Sequence, residues 1–168
     1  KLGQTAADRR SQTPSDDGAS IPLTEKMAQL KNIEVFGDLS ISDLAAVASA
    51  AKALSFEKGR QLFREGEPGD VLYLVLSGQV AVVKDCQTQK EAELDRIGAG
   101  EYVGQMALFG DDRRAATARV TERARLLTLH RQAFEELMSQ NARIGLHACR
   151  VLSMRIRRLH AIISDQGE

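Results

Sequence analysis

The sequence predicts a mainly β domain, a barrel or jelly roll, with helical segments before and after it. Short aliphatic and β-branched runs recur at Leu54–Phe56, Gln61–Phe63, Val71–Leu76, Gln79–Lys84, Glu91–Ile97, Ala115–Val120 and Arg125–Leu129. Eight of the 13 glycines (Gly59, Gly66, Gly69, Gly78, Gly98, Gly100, Gly104 and Gly110) punctuate that stretch. Closely spaced short strands with glycine turns are the pattern of closed or doubly wound β architectures. Outside it, the apolar spacing changes to the three-and-four step of helices.

Each element follows from its residues. Residues 1–20 hold one large apolar side chain, Leu2, too little to offset the entropy of ordering, and are expected to form a flexible arm or linker. Residues 21–168 are expected to form one domain, with helices over 21–53, a β-roll over 54–130 and helices over 131–164. Leu23, Met27 and Leu30 mark a first helix. Ser40 with Asp43 three positions on resembles a capping box. Behind it, Leu44, Val47, Ala48 and Ala51 form one helical face, and the bend between the two helices falls near Phe36-Gly37-Asp38. Ser77-Gly78 reads as a hairpin turn, and Asp85–Lys90 as an exposed loop. After His130, Phe134, Leu137 and Met138 define a short amphipathic helix. A longer helix follows Asn141, in which Gly145, Cys149, Leu152, Ile156, Leu159 and Ile163 step by a heptad-like seam. That seam suits packing on the chain's own β domain and a shared interface with a partner helix about equally.

Composition narrows the function classes. Lys+Arg and Asp+Glu both number 23, giving a net charge of +0 over 168 residues, which argues against a generally basic nucleic-acid binder. Hydrophobic residues at 43% and charged residues at 27% are ordinary for a globular domain. Cys86 and Cys149 lie far apart and read as idle thiols of a reducing compartment rather than a disulfide framework. No run approaches the ~20 apolar residues that span a bilayer, and no segment reads as a signal peptide, so a cytoplasmic location without direct membrane contact is expected. The chain opens at Lys1 rather than Met, as a fragment of a longer protein would.

The informative segment is Gly100–Val120, GEYVGQMALFGDDRRAATARV. Gly104-Gln105-Met106-Ala107-Leu108 can form one helical turn, whose first N–H groups lack intrahelical partners and face anions favourably. Gly104 permits close backbone approach. The small residue Ala115 offers a backbone donor without bulk. An arginine supplies a charged planar fork that matches two phosphate oxygens. Together these make an anion cradle.

With these residues in place, the chain resembles the cyclic nucleotide-binding domain family, which includes the catabolite activator protein and the regulatory subunits of cyclic AMP-dependent protein kinase. The resemblance covers about residues 22–163. It rests on EKGRQLFREGEPGDVLYLVLSGQVAVV followed by GAGEYVGQMALFGDDRRAATARV, with glycines 59, 66, 78, 100 and 104 at the family's turn positions. It implies a double-stranded β-helix jelly roll, the cyclic nucleotide-binding β-roll. It implies a phosphate-binding cassette of Gly104, Gln105, Met106, Ala107, Arg114, Ala115 and Ala116, in which Arg114 pairs with the cyclic phosphate. Arg113 stands where the family often has proline and is expected to be a solvated neighbour. Ala115 occupies the position where threonine favours cyclic GMP, so cyclic AMP is the favoured ligand and cyclic GMP the second candidate. Gln105 stands where the family usually has a glutamate that accepts from the ribose. Replacing a charged acceptor by a neutral one is expected to weaken binding on the order of tenfold. Ile162, Ile163 and Ser164 lie near the level from which family members contact the base, and read as a hydrophobic lid.

The resemblance further implies a regulatory, non-catalytic module that signals by movement of its C-terminal helix, through a hinge near Phe134 and Leu137. Its partners would be the cyclic nucleotide, an attached output domain and a second copy paired through that helix. Two alternatives are a ligand-independent interaction module and the regulatory half of a truncated transcription factor. No nucleic-acid contact is expected of the chain itself, since only five residues follow Ile163. His130, His147, His160 and the cysteines lack metal-ligand spacing, and no cofactor or metal is expected. Asp16-Asp17 and Asp111-Asp112 read as solvated turns.

Overall fold

The computed structural model describes residues 21–33, 35–106 and 113–165, with Arg155 and residues 158–165 as backbone only. The expected arm over 1–20 and the acidic pairs therefore lie outside the described residues. Two compact units share the chain. One holds Ala51–Arg131; the other joins Pro22–Ala50 to Gln132–Glu168.

The helical unit contains α1 (Leu23–Lys31), α2 (Ile41–Ala50), α3 (Arg131–Gln140, apart from its first residue) and α4 (Ala142–Asp165). Glu25 in the first turn of α1 and Lys31 in its last both suit the helix dipole. Ser40 caps α2: its Oγ accepts from the Asp43 N–H at 3.2 Å and its carbonyl accepts from the Leu44 N–H at 2.9 Å. Leu44, Val47 and Ala48 are buried, as their spacing predicts, while Ala51 is buried just beyond the helix end. Phe36 and Phe134 meet edge to face, with centroids 6.5 Å apart and both rings almost fully buried. Asn141 separates α3 from α4 and caps the latter, its Oδ1 accepting from the Arg143 N–H at 3.0 Å. Its Nδ2 donates to Asp43 of α2.

The long helix departs from the expected seam. Its buried stripe is Ile144, Ala148 and Val151, whereas Cys149 is exposed and Ile156 is 54% exposed. At 100° per residue the heptad series lies about 100° round the helix from that stripe. Two apolar series of identical spacing coexist on one helix, and periodicity alone does not distinguish them.

The β unit comprises β1 (Lys52–Phe56), β2 (Gln61–Phe63), β3 (Val71–Lys84), β4 (Ala92–Ile97), β5 (Tyr102–Val103) and β6 (Thr117–His130). All pairings are antiparallel, in the order β1-β6-β3-β4, with β2 also on β6 and β5 on β3. The chain is thus mainly antiparallel β with helices on both sides in sequence, as the pattern predicts. Val75, Val80, Ile97, Ala118, Val120, Ala124, Leu126 and Phe56 form the core.

The predicted turn at Ser77-Gly78 is not there. β3 runs unbroken through it, and the two runs assigned to Ala115–Val120 and Arg125–Leu129 likewise merge into β6. Pairing passes from Val75↔Leu126 through Ser77↔Arg125 and Gln79↔Glu122 to Val80↔Val120, with register shifts at each step. Gly78 has φ +82, and a Cβ there would lie 2.2 Å from the Arg123 carbonyl oxygen. The glycine marks a bulge where two long strands bend in close contact, rather than a reversal. Asp85–Lys90 is an exposed connection between β3 and β4, in which Asp85 and Gln87 carry positive φ.

Candidate functional site

Arg114 lies between Arg113, which bridges Pro68, and the start of β6. Its backbone is held on both sides by the turn after β2: the Arg114 N–H donates to the Glu67 carbonyl and its carbonyl accepts from the Gly66 N–H, both at 2.8 Å. This fixes the strand and sends the side chain inward. The guanidinium carbon sits 4.0 Å from the centroid of Phe63. Phe63 packs on Tyr73 at 6.0 Å, and Tyr73 on the core residue Phe56 at 6.3 Å, so an aromatic row links the core to the cation. Burial pushes the Tyr73 phenol above its ordinary pKa.

Arg114 is only 8% exposed. Its Nη2 donates to the Val71 carbonyl at 2.8 Å and its Nη1 reaches the Gly104 carbonyl at 3.5 Å, a long contact. Its Nε is buried without a hydrogen-bond partner, and among the described residues no carboxylate pairs with it. Desolvation accordingly pushes its pKa down, opposed in part by the carboxylates of Asp70 and Glu67. A buried cation without a counter-ion is costly, and an unused donor on it adds to that cost. Such a group is poised for an anion.

Glycines make the space. A Cβ on Gly104 (φ +86) would lie 2.5 Å from Arg114 Nη1, and one on Gly69 would lie 2.4 Å from Arg114 Nε. Any other residue at either position would collide with the guanidinium. The Gly69–Val71 segment is also gripped from the other end of the unit. Arg131, the first residue of α3, donates its N–H to the Asp70 carbonyl at 2.7 Å and its guanidinium to the Gly69 carbonyl.

The predicted cassette residues fall out as follows. Gly104 and Arg114 are in direct contact. Gln105 is half-buried in the turn after β5, and Met106, in helical conformation, is 64% exposed. Ala107 lies outside the described residues. Ala115 is exposed and Ala116 buried, both in the bend before β6. Arg113 is exposed but not merely solvated: its Nη1 donates to the Gly66 carbonyl at 2.7 Å. The side chains of Ile162, Ile163 and Ser164 are outside the described set. Phe63, Gly69 and the Val71 carbonyl were not singled out by the sequence. Gly69 was legible as one of the punctuating glycines, whereas the stacking of Phe63 depends on β2 reaching the cassette. Among the described residues, no group of His, Cys, Asp and Glu could hold a metal ion, and no helix is long and apolar enough to cross a membrane.

Comparison with known proteins identifies the family of the chain. A family profile described as "Cyclic nucleotide-binding domain" matches residues 53–141, more than half of the chain. The chain is 28% identical over 131 residues to a CRP-like cAMP-activated global transcriptional regulator of Mycobacterium tuberculosis, covering 78% of this chain and 58% of that one. It is 29% identical over 113 residues to a cGMP-dependent protein kinase, isozyme 2, of Drosophila melanogaster, covering 66% of this chain and 12% of that one. In both cases it spans less than two thirds of the relative. Among solved structures, the N-terminal domain of a transcriptional regulator from Streptomyces coelicolor superposes with a TM-score of 0.73 at 24% identity, over 80% of this chain and 94% of that one.

Proposed function

The chain belongs to the cyclic nucleotide-binding domain family, and from that premise we propose that it is a cyclic AMP sensor whose signal leaves through its C-terminal helices. The single observation that carries the ligand class is Arg114, a buried guanidinium with an unused Nε and, among the described residues, no carboxylate partner. The cyclic phosphate, a monoanion with two exocyclic oxygens, matches that fork. Ala115 carries no hydroxyl, which tilts the choice toward cyclic AMP by about 1 kcal/mol. The two relatives are named for different nucleotides, the Mycobacterium tuberculosis regulator for cAMP and the Drosophila melanogaster kinase for cGMP.

Neighbouring carbonyls support the signalling route. Val71 accepts from Arg114, while Gly69 and Asp70, just before it, accept from Arg131 at the start of α3. A phosphate that draws Arg114 off Val71 frees one end of a three-residue segment whose other end holds the helix start. The ligand shifts that equilibrium by its differential affinity for the two arrangements. Pairing of two copies along α4 and an attached output domain belong to the same proposal, and no catalysis is assigned to the chain.

Calorimetric titration with cyclic AMP and cyclic GMP is the test. Saturable binding with cyclic AMP tighter by about fivefold is the expected result. Silence with both nucleotides at millimolar concentration would favour a ligand-independent module. The same titration on Gln105→Glu should show affinity raised on the order of tenfold, because a charged acceptor replaces a neutral one. Unchanged affinity would remove residue 105 from the ribose contact.

A further inference from the structure

Lys84 closes β3 and lies beside the point where the β3–β6 ladder ends, at Val83↔Thr117. Its ammonium bonds to the carboxylate of Glu65, in the turn after β2, and donates to the carbonyl of Ala115 at 3.0 Å. The second oxygen of Glu65 accepts from the Asp85 N–H at 3.1 Å. The Glu65 N–H in turn donates to Thr117 Oγ1, a buried hydroxyl, at 3.0 Å. Lys84, paired with the Glu65 carboxylate, therefore holds the Ala115 carbonyl, while the Glu65 backbone N–H holds the Thr117 hydroxyl. Between them stand Ala115 and Ala116, past the end of the ladder, with methyl side chains that can anchor little. In a trans peptide plane the C=O and the following N–H point in opposite directions. Fixing the Ala115 carbonyl thus fixes the direction of the Ala116 N–H.

We infer that Lys84 and Glu65 are positioning residues for the anion site, a brace that aims the Arg114–Ala116 backbone without touching the ligand. The inference rests on the proposed function for its ligand. The pair itself is half-exposed, at 45% and 31%, so its own Coulombic attraction contributes little to stability and its consequence is geometric. The hydrogen bond between the two side chains holds the Glu65 carboxyl below, and the Lys84 ammonium above, their ordinary pKa values, so the brace is charged at neutral pH.

The test uses the full chain as Lys84→Met, Lys84→Arg, Glu65→Gln and the Lys84→Met/Glu65→Gln double variant. In the ligand-free chain, hydrogen exchange of the 113–117 amides should quicken at least severalfold in Lys84→Met and return toward wild type in Lys84→Arg, with the amides from Val120 onward unchanged. Cyclic AMP affinity by calorimetry should fall about five- to tenfold in each single charge-removing variant and no further in the double variant, the signature of one shared interaction. Unchanged exchange at 113–117, additive losses, or no rescue by arginine would overturn the brace. A wild-type chain that binds neither nucleotide would overturn the ligand reading, and the exchange arm would then decide separately whether the brace exists.

Discussion

Arg114→Met is expected to weaken cyclic AMP binding a hundredfold or more while leaving the ligand-free chain about as stable as before. The two halves of that expectation have separate causes. Two hydrogen bonds from a guanidinium to a phosphate contribute roughly 1.5–3 kcal/mol each, and 3 kcal/mol is already more than a hundredfold in affinity. Stability behaves differently because the native cation is buried, stacked on Phe63 and unpaired by any described carboxylate. Replacing a buried charge by an apolar side chain of similar length is often neutral or stabilising. Against that gain stands the lost charged hydrogen bond to the Val71 carbonyl, about 1.5–3 kcal/mol. Thermal melting without nucleotide should therefore move by no more than a few degrees. Calorimetry with cyclic AMP and melting with and without ligand check both halves. A large drop in ligand-free melting temperature with affinity preserved would recast Arg114 as a structural residue and remove the basis of the sensing proposal.

Gly78→Val should produce the largest loss of stability of any single change considered. The position combines φ +82 with a Cβ placed 2.2 Å from the Arg123 carbonyl oxygen and 2.6 Å from the Ala124 Cα. Both neighbours are backbone and cannot rotate away. A left-handed conformation costs an L side chain about 1–2 kcal/mol, and forced overpacking adds about 1–3 kcal/mol. The sum, on the order of 2–5 kcal/mol, is a large share of a typical domain's stability. Gly100→Ala supplies the control: its φ of +85 is nearly the same, but nothing lies within 4 Å of the added carbon. It should lose about 1–2 kcal/mol, the backbone cost alone. Denaturant unfolding of the two variants separates the contributions; equal losses would show that close approach of β3 to β6 does not matter.

The same glycine shows where sequence patterns lose information. Ser77-Gly78 between two aliphatic runs has the chemistry of a turn, and positive φ is required there, as a turn would also require. The difference between reversing the chain and bending it lies in the partner strand, which begins some 40 residues later. α4 gives the same lesson. Ile144-Ala148-Val151 and Gly145-Cys149-Leu152-Ile156 have equivalent spacing, and the residues packed against the helix decide which one is buried.

Chemistry that a short stretch of chain contains was readable directly. The change from helical to strand-like spacing, the Ser40 cap on α2, the glycine at Gly104 and the arginine before two alanines are local, and each has one dominant physical reading. What tertiary structure added was adjacency. Phe63 under the guanidinium, Gly69 against its Nε, Val71 accepting from it, and Lys84, paired with Glu65, holding the Ala115 carbonyl are brought to the Arg114 strand from separate stretches of chain. No periodicity relates those segments, because their contacts are set by the antiparallel register of β3 on β6 and of β2 on β6. Register follows from the packing of a whole sheet, which is why the charge at Arg114 could be named from sequence while its burial and its unused donor could not.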